Sequence, residues 1–206
     1  MSQAAMSRGW HTGDLLLPTA PPAATPLVVK FGGSLFGRPS WPDELRALLA
    51  MRSGGCLVVV GGGLIVDGLR RIDAASRQPD DLMHELAIAG MGITARLVAT
   101  ALDLPRIAEP RALTGDVTAV LDPVPWFAAC SRGRGLPATW RVTSDSIAAT
   151  VAGAGGRLLL AKSIAPPAHA LATADPLAAV SAAGWVDAHF STAAAGLAAI
   201  SWAAPA

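Results

Sequence analysis

Val28-Val29-Lys30-Phe31-Gly32-Gly33-Ser34 is the stretch from which the rest of the chain can be read. Residues 27–31 form a short apolar run closed by two glycines. Such a run predicts a strand buried on both faces that delivers a tight loop. The pattern returns at residues 57–60, another apolar run, which ends in Gly61-Gly62-Gly63. A helix is expected between the two at 41–51, introduced by Ser40 and Pro42, and a second at 64–75.

Working outward, Pro79-Asp80-Asp81 opens a helical pattern that runs to about Leu102. Residues 104–107 and 117–121 read as short strands, and the Pro-, Trp- and Gly-rich stretch 122–140 reads as a loop. Thr143-Ser144-Asp145 reads as a helix start, residues 153–156 as its end, and 157–161 as a further apolar strand. Two alanine-rich helices are expected after it, separated by Gly184-Trp185-Val186-Asp187, with the tail 188–206 as packed helix. Alternating buried strands and helices predict an α/β fold, a three-layer sandwich around a central, mainly parallel sheet. Residues 1–25, rich in Ala, Pro, Ser and Thr, are expected to form a flexible N-terminal extension, leaving 26–206 as one domain.

Composition narrows the function classes. The chain has 206 residues, a net charge of +1 and few aromatics, so neither nucleic acid nor an anionic membrane surface is an expected partner. Its two cysteines, Cys56 and Cys130, have no metal-ligand spacing and form no disulfide framework, which suits a reducing cytoplasm. No basic start followed by an apolar core precedes a cleavage site, so export is not expected. Of sixteen basic residues only Lys30 and Lys162 are lysines. A chain so rich in arginine keeps lysine either by chance or where a compact ammonium on a flexible stem is required.

In parallel sheets ligands bind beyond the carboxyl ends of the strands, where both glycine clusters lie. Glycine lets a backbone approach a ligand closely, and amides at a helix start hold phosphate oxygens. No Gly-x-x-x-x-Gly-Lys-Ser/Thr occurs, and neither early cluster is a Gly-x-Gly-x-x-Gly. No serine sits in a nucleophile elbow, and the four histidines lack metal-ligand spacing. Lys30, at a strand end before a glycine loop, points into an anion site or snorkels to water. Asp145 serves chemistry or only the helix dipole. Lys162, just past its strand, serves chemistry or is a solvated loop charge.

The three segments 28–34, 58–63 and 143–149, in this order, resemble the amino acid kinase family, and the resemblance covers about residues 26–200. It implies an acceptor-binding N-lobe and an ATP-binding C-lobe, with ATP and Mg2+ as cofactors. Lys30 would then act on the transferring phosphoryl group, Gly32, Gly33, Ser34 and Ser144 on the ATP phosphates, and Asp145 would orient the lysines. Gly61, Gly62 and Gly63 would hold the acceptor phosphate, with Arg70 and His84 beside them. Residues 140–148 and 61–71, Asp80-Asp81 with His84, and Val186-Asp187 are most similar to the branch serving methanofuran biosynthesis. That branch phosphorylates a phosphate monoester to a diphosphate, and Asp81 or Trp140 would meet its substrate's ammonium.

The chain departs from the family in lacking a late Gly-Gly-Met segment with a second catalytic lysine. Where relatives have an Asp-rich turn it has Ala161-Lys162-Ser163, and Lys162 is the only lysine left to supply that charge. An acceptor phosphate is already anionic, so the chemistry needs positioning and charge neutralisation rather than a base. A small-molecule phosphate substrate and a homo-oligomeric assembly complete the expectation. The alternatives are a kinase for another small phosphate or carboxylate, and a non-catalytic relative that binds anions or nucleotides for storage or regulation.

Overall fold

The computed structural model describes residues 9–17, 26–113, 115–130 and 135–206. Its strands are β1 (Trp10–Leu16), β2 (Leu27–Phe31), β3 (Cys56–Val60), β4 (Arg106–Ile107), β5 (Ala119–Leu121), β6 (Arg157–Ala161) and β7 (Ala199–Pro205). They form one sheet in the order β1-β7-β6-β2-β3-β5-β4, with every neighbouring pair parallel except β1 and β7. The helices are α1 (Trp41–Ala50), α2 (Gly63–Ala75), α3 (Asp80–Leu102), α4 (Pro123–Ala129), α5 (Ser144–Ala152), α6 (Ala168–Leu171), α7 (Pro176–Ala182) and α8 (Phe190–Ala193). Short 3-10 turns span Gly33–Gly37 and Pro110–Ala112.

Side chains along a strand alternate between faces, and the central strands use both faces to build a core. Val29, Phe31, Val58, Val60 and Leu159 pack with Leu45 and Leu48 of α1 and Val98 of α3. Val28, Leu57, Val59, Leu158 and Leu160 pack on the other face with Ile147 and Val151 of α5, Trp126 of α4 and Phe190 of α8. Every residue of β3 is buried, as a sheet covered on both sides requires. The expected three-layer α/β architecture is present. From β2 the chain runs to β3 on one side and later returns to β6 on the other. Strand order therefore reverses beside β2, and the crevice above such a reversal is where open α/β sheets bind ligands.

Three expectations fail, each for a local reason. Residues 10–16, expected within a flexible extension, form β1; residues 1–8 and 18–25 lie outside the described set. As an edge strand β1 buries only Trp10 and Leu15, and a register shift between Asp14 and Leu16 breaks its alternation, so no period-2 signal survives. Within the tail expected to be helical, residues 199–205 are instead β7. Its alanines favour helix intrinsically, but pairing with β6 and β1 on both edges overrides that preference. Within the expected loop 122–140, Asp122 accepts from the Val124 amide at 3.3 Å and Pro123 opens α4, a cap-and-proline start.

Candidate active site

Lys30 is the penultimate residue of β2, and the register sets it beside Leu160 of β6. Lys162 follows β6 directly, its amide donating to the Ala203 carbonyl at 2.9 Å. Parallel pairing thus brings the two lysines to the same end of adjacent strands. Between them stands Asp145, in the first turn of α5. Lys30 Nζ lies 2.7 Å from Asp145 Oδ1, and Lys162 Nζ donates to Asp145 Oδ2 at 2.8 Å. All three side chains are buried or nearly so, with exposures of 5%, 6% and 15% for Lys30, Asp145 and Lys162.

Burial opposes ionisation of Asp145, but the two ammoniums outweigh it and hold the carboxyl below the usual range. The pKa of Lys162 is lowered too, which in a lysine disfavours the charged form. Burial and the neighbouring Lys30 charge lower its pKa to about 8, although Asp145 and Asp187 favour the charged form. The indole of Trp185 lies 4.8 Å from Lys162 Nζ, a cation–π contact that also favours the ammonium.

The two glycine clusters pack against each other above this cluster. A Cβ on Gly33 would stand 2.3 Å from the Gly63 nitrogen, and one on Gly61 would stand 2.7 Å from the Gly33 nitrogen. Gly63 has φ +53°, in the left-handed region. The amides of Gly32 and Gly61 are committed to the fold, donating to Ala161 and Phe31 carbonyls at 2.8 and 2.9 Å. The Gly33–Gly37 turn and α2 both start here, and the first amides of a helix have no intrahelical acceptor. Gly62 is αR with φ −72°, and its missing side chain faces Val66, whose Cγ2 would lie 2.1 Å from an added Cβ. Bulk at Gly62 therefore probes helix packing rather than anion approach.

One cavity of about 240 Å³ is lined by Lys30, Gly32, Gly33, Ser34, Ser144 and Lys162, and also by Gly61, Gly62, Gly63, Arg70 and His84. Asp145 lies buried beside it. Thus the site residues singled out from sequence, apart from Asp81, gather at one place. Asp81 does not line it; Asp67 does. Ser34 Oγ donates to Ser163 Oγ at 3.0 Å, linking the first glycine loop to the turn after β6. Arg70 donates to Asp67 at 2.8 Å and stacks on Trp140 at 5.2 Å, while Trp140 Nε1 donates to Asp73 Oδ2 at 2.8 Å. His84 is buried against Phe127, its Nε2 has no hydrogen-bond partner, and burial lowers its pKa, so it offers the cavity a neutral ring. A larger cavity of about 600 Å³ opens at the opposite strand ends, against Pro26, Val28 and Leu57, and contains neither lysine. The two lysines belong to the smaller one.

Sequence reasoning overlooked the anchoring of this site by Asp73 and Asp187. Asp187 was readable only as part of a Val-Asp pair resembling relatives.

A sheet-end crevice, paired glycine loops and a lysine–aspartate–lysine cluster thus meet at one end of an α/β sheet. The chain belongs to the amino acid kinase family, which matches residues 25–164. Its mainly parallel sheet flanked by helices is the α/β fold expected of that family. No curated protein matches the chain. Among solved structures, uridylate kinase from Archaeoglobus fulgidus is similar with a TM-score of 0.45 and 16% identity. The match covers 68% of this chain and 64% of that one.

Proposed function

We propose that the chain is an ATP-dependent kinase that transfers the γ-phosphoryl group to a small phosphate monoester, giving a diphosphate. The observation that carries this reading is the convergence of both lysines on one buried aspartate at the glycine-loop crevice. Two ammoniums against one carboxylate leave one positive charge in excess beside the cavity, which complements crowded phosphate oxygens. Lys30 stabilises the transferring group and Lys162 supplies the second charge. Asp145 orients both lysines. Gly32, Gly33, Ser34 and Ser144 form the ATP side; Gly61, Gly62, Gly63, Arg70 and His84 form the acceptor side. An anionic acceptor oxygen needs no base, and the work left is positioning and charge neutralisation.

Among the described residues no group of three or more His, Cys, Asp or Glu side chains could hold a metal, and Asp145 is engaged by the lysines. Magnesium therefore enters this reading as the companion of the ATP phosphates rather than as an ion caged by protein.

For the acceptor, the reading favours [5-(aminomethyl)furan-3-yl]methyl phosphate. Val66, Ile88 and Met91 beside Trp140 suit a small ring, and Asp67 or the Trp140 face suits its ammonium. A coupled assay of ADP release, run with this compound, uridylate and isopentenyl phosphate, tests both levels. Fastest turnover with the furan phosphate is expected. A higher kcat/KM for either competitor overturns the acceptor, and ATP binding without ADP release from any acceptor leaves a non-catalytic nucleotide binder.

The working unit in this reading is a homodimer formed through α3. That helix is long and apolar enough to cross a membrane by length and composition, yet it packs against α1, α2, α4 and the sheet. Its outward stripe is also apolar: Leu82, Leu86, Ile93 and Leu97 are exposed. An exposed apolar stripe of this kind marks a contact surface for another chain. The stripe mirrors itself about the helix middle, so an antiparallel second copy sets Leu82 against Leu97 and Leu86 against Ile93. The same pairing brings exposed Glu85 near exposed Arg96, neither ion-paired among the described residues. Sedimentation velocity should show a dimer that Ile93→Glu converts to monomer; a monomeric wild type at micromolar concentration overturns it. Cys56 and Cys130 are free, in keeping with the cytoplasmic location this reading assumes.

A further inference from the structure

Asp187 lies in the connection between α7 and α8, beyond the stretch matched by the family. Its carboxylate accepts five hydrogen bonds. Oδ2 accepts from the Thr143 amide at 2.9 Å, Thr143 Oγ1 at 2.8 Å and the Ser146 amide at 3.0 Å. Oδ1 accepts from Ser146 Oγ at 2.6 Å and the His189 amide at 3.1 Å. Four of the five donors belong to the start of α5, the turn that carries Ser144 and Asp145.

A helix start has N–H groups without intrahelical partners and the positive end of the dipole, and a carboxylate there satisfies both. An acid within the first turn often performs this task itself. Here Asp187 performs it from outside the helix, which leaves both oxygens of Asp145 to the lysines. The segment around Asp187 is itself tied down. Ser181 Oγ donates to the Asp187 carbonyl at 3.0 Å, and Trp185 Nε1 donates to the Ile164 carbonyl at 3.0 Å. Trp185 at the same time covers the Lys162 ammonium. Residues 185–187 thus hold both partners of the Asp145–Lys162 pair, one from the helix side and one from the strand side.

We propose that Asp187 is a positioning residue of the two-lysine centre, fixing the start of α5 so that Asp145 meets Lys30 and Lys162 together. It touches no reacting group. The inference rests on the reading of that centre as the site of phosphoryl transfer. The groups that face Lys162 are Asp145 from α5, Lys30 from β2, and Trp185 and Asp187 from this segment.

Asp187→Asn tests it. The amide keeps the shape but offers one acceptor oxygen, so its NH2 edge confronts donors. The turn then loosens, and kcat should fall about 10²-fold, the scale of a 1 Å misplacement, with KM for ATP little changed. The second measurement needs no substrate. With only two lysines in the chain, 15N-lysine NMR resolves the Lys162 titration, which should move down from about 8 when the Asp187 charge is removed. A folded Asp187→Asn with wild-type kcat and an unmoved Lys162 titration overturns the proposal. If that variant does not fold, Ser146→Ala, which deletes only the 2.6 Å bond, should lower kcat in the same direction; wild-type kinetics and titration there overturn it equally. If wild type transfers no phosphate, the kinase reading fails, while the Lys162 titration in Ser146→Ala, which keeps the Asp187 charge, still decides whether Asp187 positions the centre.

Discussion

The two sides of the cavity are built on different physical terms. On the strand-end side, Lys30, Asp145 and Lys162 are withdrawn from water, with exposures of 5%, 6% and 15%. On the helix side, Arg70 and Asp67 pair at a similar distance, 2.8 Å, but at exposures of 43% and 51%. Distance alone would rank the pairs together. Environment separates them, because opposite charges interact several times more strongly in a protein interior than in water. Removing one partner of a buried pair leaves a stranded charge and costs about 3–5 kcal/mol, whereas an exposed pair contributes about 0–1 kcal/mol. In the proposed reading, the side that handles the reaction's charge is thus locked by sheet register, and the side that chooses the acceptor can change without disturbing the fold.

The sharpest way to break this contrast is Lys30→Ala. If Lys30 is a preorganised charge for the transferring group, kcat should drop by roughly 10²–10³, as loss of one such donor does elsewhere. Asp145 keeps Lys162 as its partner in the variant, so the fold should survive. Steady-state kinetics with saturating ATP make the check, and retention of more than half the wild-type kcat removes Lys30 from the mechanism.

Next in size is a pH effect with two signs. In the proposed reading Lys162 must be charged to neutralise phosphate, and its pKa in the free protein is lowered to about 8. The kcat/KM for ATP reports the free enzyme, so it should fall with rising pH above about 8, tenfold per unit once Lys162 is mostly neutral. Folding stability should move oppositely. The charged form is disfavoured in the fold, so that cost is present in full below about 8 and is relieved as pH rises toward 10.5, the usual lysine value. Denaturant titrations across this window should show the Lys162 contribution rising where activity falls, and Lys162→Met should lack both trends. A flat activity profile through pH 9 would mean that Lys162 carries no charge the reaction uses.

The same contrast explains what could be read from sequence. Strands β2, β3 and β6 were legible because both their faces are buried, and uninterrupted Val and Leu runs ending in glycine leave few other readings. Lys30 and Asp145 were legible because each sits at a position, a strand end or a helix start, where charge has a reason to be. The pairing of Lys162 with Asp145 was only implied, through the scarcity of lysine, since the contact spans 17 residues and follows from sheet register. Asp187 was not legible as a clamp. Its partners stand 41 and 44 residues away, and nothing in residues 184–189 signals that their carboxylate completes another helix's first turn. The glycines also carried a mixed message. Part of what resembles a ligand signature is two loops packing backbone to backbone, which only atomic positions separate from anion binding.

The smallest expected effect lies on the helix side, at Arg70. Its guanidinium is held twice, by Asp67 at 2.8 Å and by the Trp140 ring at 5.2 Å, both near the surface. Arg70→Ala should therefore leave stability within about 0.5–1 kcal/mol of wild type, the scale of an exposed pair. If Arg70 also reaches the acceptor phosphate, KM for the acceptor should rise about tenfold, within the range of a charge-assisted hydrogen bond, while kcat and KM for ATP stay near wild type. Initial rates with the two substrates varied independently separate these quantities. A fall in kcat with acceptor KM unchanged would place Arg70 with the charge chemistry of Lys30, and the division of the cavity into a locked side and a selective side would not hold. An unchanged acceptor KM with unchanged kcat would leave Arg70 as a surface partner of Asp67, and the acceptor phosphate would then rest on the second glycine loop and α2 amides alone.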